Sequence, residues 1–371
     1  MKIAFLFGSL NRGGTETLML DVCQNLKKED FDAIGIYRKG GVLEKDFLNT
    51  TIPFVKLPVS KNIVAYLHKL RRVIVCNGVR IVHAQQPIDA LLAKIASFGI
   101  PTKVILTLHG FDANLQNKKD RLLSFILKIT DRNIYVSNYQ KEYYVSKYKL
   151  NIQRQVVVYN GISFEKLNEK VLDTNIRKEL NVSDDTLLLG MVGNFNEVRD
   201  QMTVVKFLKL LHISQTNFHF VFIGKKTENL AKRFDDCVAF CKQHNFLDKV
   251  SFLGVRSDVP QILPYLDAFI YSTERDTFGI AVVEALAIGV PVFVNDWAVM
   301  SEISENGKYA TIYKTKNEQD LYTKFMSFLK NKEIVKTNAI LNSKEIKDKY
   351  NIHHYICNLK NIYEKFIIHH S

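Results

Sequence analysis

The sequence is short of cysteine and of long apolar runs, and each shortage closes off a class of protein. The five cysteines among its 371 residues (Cys23, Cys76, Cys237, Cys241 and Cys357) are scattered and odd in number. That excludes a disulfide-stapled secreted scaffold and points to incidental or core thiols in a reducing compartment. Cys237 and Cys241 stand one helical turn apart, which is neither a CxxC redox pair nor a zinc-knuckle spacing. No stretch reaches the roughly 18 uninterrupted apolar residues of a membrane span. The opening MKIAFLFG has an apolar run of only five residues before Gly8, too short for a signal-peptide core. Low-complexity tracts and fixed-period repeats are also missing. With 47% hydrophobic and 24% charged residues, disorder is not expected. No His/Asp/Glu cluster has metal-ligand spacing, so the expected chemistry needs no metal or other cofactor. The expectation is a cytoplasmic protein whose membrane contact is at most peripheral.

What is present is uneven charge. Residues 1–164 carry 24 Lys/Arg against 12 Asp/Glu, a net of +12, whereas residues 165–371 carry 27 against 26, a net of +1. A basic half joined to a neutral half suggests different partners. The basic half suits an anionic membrane surface, a polyphosphate substrate or nucleic acid, or is simply a soluble surface.

Short apolar runs alternate with helix-length amphipathic segments throughout. Strands are predicted at 2–7, 31–37, 80–84, 103–109, 132–137 and 155–160, and after residue 180 at 186–194, 218–225, 249–254, 267–272, 290–295 and 309–313. Two such series predict two parallel-sheet α/β domains with helices on both faces. The polar stretch 163–185 marks the boundary, placing an N-terminal domain over 1–165 and a C-terminal one over 166–345. Residues 346–371 lack strand character and are expected to form a helical tail that packs back on the first domain. Ligands of open α/β sheets bind at the carboxyl ends of strands, so a cleft between two such sheets is the natural site.

Three strand-to-helix loops could hold phosphate. Gly8-Ser-Leu-Asn-Arg-Gly13-Gly14-Thr15 nearly has Walker A spacing, but Gly14 stands where the phosphate-binding lysine must be, which rules out an ATPase. Arg38 and Lys39, rather than an acid, follow the second strand, which argues against an NAD site. What remains is a glycine-rich turn, either structural or close to a ligand's phosphate. In the second loop, Gly193, Asn194 and Arg199 could clamp a diphosphate, although an exposed loop arginine is as readily a solvated charge. The third loop, ERDTFGIAVVEALAIG, is more specific. Asp276 precedes a helix and Glu284 lies about one turn inside it, in an otherwise apolar segment. A carboxylate there needs partners, and sugar hydroxyls are suitable donors, while helix-start amides favour an anion. Asp276 could also be a simple helix cap.

These residues resemble those of the retaining glycosyltransferases of family 4. The family's acidic pair, separated by seven residues, is matched by Asp276-Thr277-Phe278-Gly279-Ile280-Ala281-Val282-Val283-Glu284. Other pieces agree in order: Gly13-Gly14-Thr15-Glu16, Leu106 to Gly110, Tyr135-Val136-Ser137, Tyr159 to Ile162, and Leu253-Gly254-Val255-Arg256-Ser257-Asp258. The resemblance implies the GT-B architecture, two Rossmann-like, doubly wound domains with a deep cleft and a C-terminal helix. It implies that Glu284 holds the ribose of a UDP- or GDP-sugar, Asp276 holds hydroxyls of the transferred sugar, and amides of Phe278, Gly279 and Ile280 lie near the distal phosphate. Gly13 and Gly14 let the diphosphate approach, His109 faces the donor sugar, and Val255 and Arg256 border the base. Read without the family, His109 could equally be a packed strand-end histidine.

The sequence also departs from the family. Asp276 replaces a glutamate and Thr277 a glycine, with Glu274 close enough in sequence to compensate. The usual Arg/Lys pair is Asn194 and Arg199, and the acid expected after Asn160-Gly161-Ile162 is Ser163. The implied activity is transfer of a sugar to a glycan or lipid-pyrophosphate-linked glycan, as in capsule, O-antigen or exopolysaccharide assembly. A nucleotide-sugar 2-epimerase and a non-catalytic basic binding protein are the alternatives. No nucleic-acid-binding signature is present, so no nucleic-acid partner is expected.

Overall fold

The computed structural model describes all residues except 28–29, 60–61, 112–116, 166–174, 228–230 and 369–371, together with the side chains of 367 and 368. The chain divides into two compact units, Met1–Ile162 with Tyr350–Ser371, and Ser163–Lys349. The expected strands are present in both. In the first unit these are β1 (Lys2–Ser9), β2 (Asp32–Lys39), β4 (Ile81–Ala84), β5 (Lys103–Leu108), β6 (Arg132–Tyr135) and β7 (Gln155–Val157). One strand was not expected, β3 (Phe54–Lys56), whose three residues are too short to show a period. The second unit contains β8 (Leu187–Val192), β9 (Phe218–Ile223), β10 (Val250–Gly254), β11 (Ala268–Tyr271), β12 (Val292–Asn295) and β13 (Thr311–Tyr313).

Every strand pair is parallel, and the sheets run β3-β2-β1-β4-β5-β6-β7 and β10-β9-β8-β11-β12-β13. Parallel strands joined by helical crossovers are covered on both faces, which is why they read as continuous apolar runs. In each sheet the chain winds outward in one direction, returns to the centre and then winds the other way. The reversal falls between β1 and β4 in the first unit and between β8 and β11 in the second. Connections leave in opposite directions there and open a crevice at the carboxyl ends of the strands, the usual ligand position in such sheets.

Alternation along β1 builds the first unit's two cores. Ile3, Phe5 and Phe7 pack on one face with Tyr355, Leu359 and Tyr363, while Ala4 and Leu6 face the opposite way with Tyr66 and Leu70. The helix Ile352–Ile368 therefore covers one face of the first sheet, although residues 163–349 separate it from the rest of that unit. All five cysteines are free; Cys23, Cys237 and Cys241 are buried, and Cys76 and Cys357 are exposed. No described helix is long and apolar enough to cross a membrane.

Candidate active site

In the second unit, the pairing of β8 with β11 brings the loops that follow them together. Asn196 accepts the amides of Val198 and Arg199 through Oδ1, both at 3.1 Å, and turns the first loop back on itself. The amide of Glu274 then donates to the carbonyl of Val198 at 2.8 Å, and Arg199 bridges Thr273. Asp200, next in the chain, caps the helix Gln201–Ile213 by accepting from the amide of Thr203. Cap and turn together hold Arg199 at the sheet's reversal point.

The side chains at that point are tightly engaged. Arg199 Nη1 lies 3.0 Å from Asp276 Oδ2 and donates to Thr273 Oγ1 at 3.2 Å. Its guanidinium sits over the Tyr271 ring, 4.9 Å from the centroid. Tyr271 donates its hydroxyl to the same Asp276 Oδ2 at 2.6 Å. Asp276 Oδ1 accepts the amides of Thr277 at 2.7 Å and Phe278 at 3.4 Å. The only tryptophan, Trp297, donates Nε1–H to the Asp276 carbonyl at 3.1 Å. Burial opposes the charge of Arg199, but Tyr271 and Asp276 more than offset it and hold the pKa above the ordinary arginine value. Burial, the largest cause, lifts the Tyr271 hydroxyl far above its usual range, so it stays a donor. One part of this cluster is unsatisfied. Arg199 Nε is buried without a hydrogen-bond partner, against Gly193, where a Cβ would come within 3.1 Å of it. A buried cationic donor left unpaired is costly unless an anion completes it.

The helix Ile280–Ile288 starts beside this cluster. Gly279 opens it at φ +82° and Gly289 closes it at φ +87°, left-handed conformations that favour glycine. No side chain caps its start. Phe278 is buried, and Glu284, half-buried, lies one turn in. The first amides of any helix have no partner within it, which makes this end a ready anion site.

Other predicted residues of this unit have definite partners. Asn194 accepts the amide of Lys225 through Oδ1 at 2.8 Å, which pins it to the residues after β9. Glu274 pairs with Lys316 at 3.0 Å, with Arg233 at 3.9 Å, whereas Asp276 pairs with Arg199. Arg256 forms paired contacts with Glu179 and Asp258, between 2.7 and 2.9 Å, and Val255 beside it is 65% exposed. These two follow β10, which β9 separates from β8.

In the first unit Gly13, in extended backbone, precedes the helix Gly14–Asn25 without a side-chain cap. His109 follows β5, and Gln85 Oε1 accepts from its Nε2 at 2.8 Å. Burial pushes the His109 pKa down to about 4, so the ring is neutral at physiological pH. Two residues before His109, within β5, Thr107 bonds His83 Nε2 at 2.6 Å, and Tyr363 bonds His83 Nδ1 at 2.7 Å. Arg38, whose charge argues against an NAD site, reaches the buried Asp89 at 2.7 Å. Sequence reasoning missed Tyr271, Thr273, Trp297 and Gln85 as site partners. For Tyr271 the available signal was a hydroxyl at the end of an otherwise apolar strand. Among the described residues, no group of three or more His, Cys, Asp or Glu side chains is placed to hold a metal ion.

The profile described as Glycosyl transferases group 1 matches residues 173–363, and that described as Glycosyltransferase Family 4 matches residues 12–166. The chain belongs to this glycosyltransferase family. The glycosyltransferase is 25% identical over 253 residues to the N-acetyl-alpha-D-glucosaminyl L-malate synthase of Bacillus anthracis, a match spanning 67% of this chain and 63% of the Bacillus protein. It is 23% identical over 302 residues to the UDP-Gal:alpha-D-GlcNAc-diphosphoundecaprenol alpha-1,3-galactosyltransferase of Escherichia coli, covering 76% of each. The crystal structure of Anabaena Alr3699/HepE in complex with UDP superposes with a TM-score of 0.86 at 17% identity, over 98% of this chain and 100% of that one. These likenesses agree with the fold class expected from the sequence, two Rossmann-like parallel-sheet domains of the GT-B kind.

Proposed function

We propose that the glycosyltransferase moves a sugar from a UDP- or GDP-sugar to a hydroxyl of a glycan or lipid-pyrophosphate-linked glycan, with retention, in capsule, O-antigen or exopolysaccharide assembly. The observation that carries this reading is the buried, half-satisfied Arg199 beside the uncapped start of the helix bearing Glu284. A diphosphate would take the unpaired Nε donor and the amides of Gly279 and Ile280 at the helix start, with the Phe278 amide, shared with Asp276, beside it. Glu284 would accept from the ribose hydroxyls and Asp276 from the transferred sugar. Asn194 and Thr277 would line the diphosphate, while Val255 and Arg256 would border the base. The roles of Gly13, Gly14 and His109, in the first unit, rest on the family resemblance.

In the step itself the bond from the sugar's anomeric carbon to the diphosphate oxygen breaks, and a bond to the acceptor oxygen forms on the same face. The departing diphosphate takes the acceptor's proton, so no protein base is required. The protein's part is positioning and stabilising the charge that develops on the leaving oxygen. We assign acceptor binding to the basic first unit, which would work peripherally at an anionic membrane face.

The test is a melting panel with UDP-, GDP- and ADP-sugars, followed by turnover of Arg199→Ala with and without EDTA. One nucleotide class should raise the melting temperature, since a ligand at about 100 times its Kd adds about 2.7 kcal/mol. Arg199→Ala should lower turnover about 100-fold or more with folding unchanged, and EDTA should have no effect on the wild type. Near-normal turnover of the variant would overturn the clamp.

A further inference from the structure

The first unit carries an apolar stripe that none of its described residues covers. Along the helix Pro87–Ala96 and just beyond it, Ile88, Ile95 and Phe98 are exposed, Phe98 by 84%, and Leu91 between them is partly so. The spacing 88, 91, 95 keeps three of them on one helical face, and Phe98 lies in the turn that follows. The helix Asn117–Ile129 lies alongside, and Ile88 and Leu122 line the same shallow groove between the two. One turn past Leu122, Phe125 is 53% exposed. Isolated exposed apolar residues are ordinary, whereas a stripe running across two adjacent helices is not.

The exposed charges described on these two helices have one sign. Lys118, Lys119, Arg121 and Lys128 are exposed on the second helix. The acids of these two elements are already engaged, Asp89 buried against Arg38 and Asp120 held by Lys147 and Tyr148. Arg71 donates to the carbonyls of Ala96 and Phe98, fixing the end of the stripe to the neighbouring helix Ile63–Cys76. Exposed aromatic and aliphatic residues beside exposed lysines and an arginine match the boundary between headgroups and acyl chains of an anionic bilayer.

We infer that the face formed by Ile88, Ile95, Phe98, Leu122 and Phe125 is where the first unit docks on an anionic membrane. This deepens the reading above, in which that unit meets such a surface, by naming the side chains that enter it. The apolar residues insert at the headgroup level and the lysines hold phosphates, so binding needs both parts.

The full chain should co-sediment with vesicles of phosphatidylglycerol and phosphatidylcholine, about tenfold more weakly with phosphatidylcholine alone, and more weakly as salt rises. Ile95→Glu/Phe98→Glu and Leu122→Glu/Phe125→Glu should each weaken binding about tenfold or more, with thermal unfolding unchanged. Ile213→Glu, an exposed apolar position in the second unit, should bind as the wild type does. Equal binding by the stripe variants overturns the inference, as does absence of wild-type binding to anionic vesicles. Self-association of the wild type without lipid, abolished by the Phe98→Glu change, would instead assign the face to a second copy. Fluorescence of Trp297 on adding a nucleotide sugar keeps the two readings apart. Donor binding without vesicle binding sinks this face alone, and loss of donor binding in the wild type sinks the site.

Discussion

Asp276 accepts on both oxygens, from Arg199 and Tyr271 on one and from two backbone amides on the other. A carboxylate offers about four acceptor positions, so a sugar hydroxyl finds room only if one donor leaves. Arg199 is the donor a diphosphate would draw away. Nucleotide and sugar binding are then coupled through a single side chain, and variants of the two acids should separate. Asp276→Asn should keep nucleotide affinity or tighten it while lowering kcat. Glu284→Gln should raise the donor KM roughly 10- to 100-fold with kcat little changed, since it weakens hydrogen bonds to a charged acceptor. Steady-state kinetics with Trp297 titrations would distinguish them; a rise in KM from Asp276→Asn would contradict the coupling. The acids themselves were legible in the sequence, because a carboxylate inside an apolar run has to be explained. The pairing of Asp276 with Arg199 was not, because residues 199 and 276 meet only through strand order, which apolar alternation does not encode.

The helix Ile280–Ile288 is bracketed by two glycines in left-handed backbone, and they are not equivalent. A Cβ on Gly289 would stand 3.0 Å from the Cα of Ile340, part of the helix Lys332–Lys349, and that backbone cannot easily give way. On Gly279 it would meet the flexible end of Met300 at 2.8 Å. Gly289→Ala should therefore cost more than the about 1–2 kcal/mol of left-handed strain alone, and Gly279→Ala close to that amount. Gly279→Ala should weaken donor binding more, since Gly279 shapes the anion-binding end. Urea unfolding and nucleotide titration of both variants check this, and a larger stability loss at Gly279 would refute it. The bracket of this helix could be read from Phe-Gly and Gly-Val-Pro, whereas β3 could not be read because three residues carry no periodicity.

At the scale of the molecule, pH acts through buried histidines. Burial, with a smaller contribution from His109, pushes His83 down to about 3, and burial lowers His109 to about 4. The unfolded chain binds protons near pH 6.5 that the folded first unit refuses, so stability is full above that pH and declines as it falls toward 4. At about pH 5 the loss is about 2 kcal/mol for each ring. His219, on β9 of the second unit, is lowered as well, mainly by burial, and acts in the same direction. Melting from about pH 7.5 to 5 should show a falling transition, and His83→Gln should flatten it; an unchanged slope would mean His83 is not the group. The two sheets were legible because parallel strands leave apolar runs; the last helix was expected to pack back on the first domain, but no local pattern shows where it lands. Its contacts with β1 and β4 span most of the chain, and local pattern carries no record of them. The first unit is thus a discontinuous body, split by the 187 residues of Ser163–Lys349. On a ribosome adding roughly 5–20 residues per second, its sheet would wait roughly 10–40 s for Tyr355, Leu359 and Tyr363 to arrive. The second unit, continuous in sequence, can close first. The part of the protein that is made first is the part that is finished last.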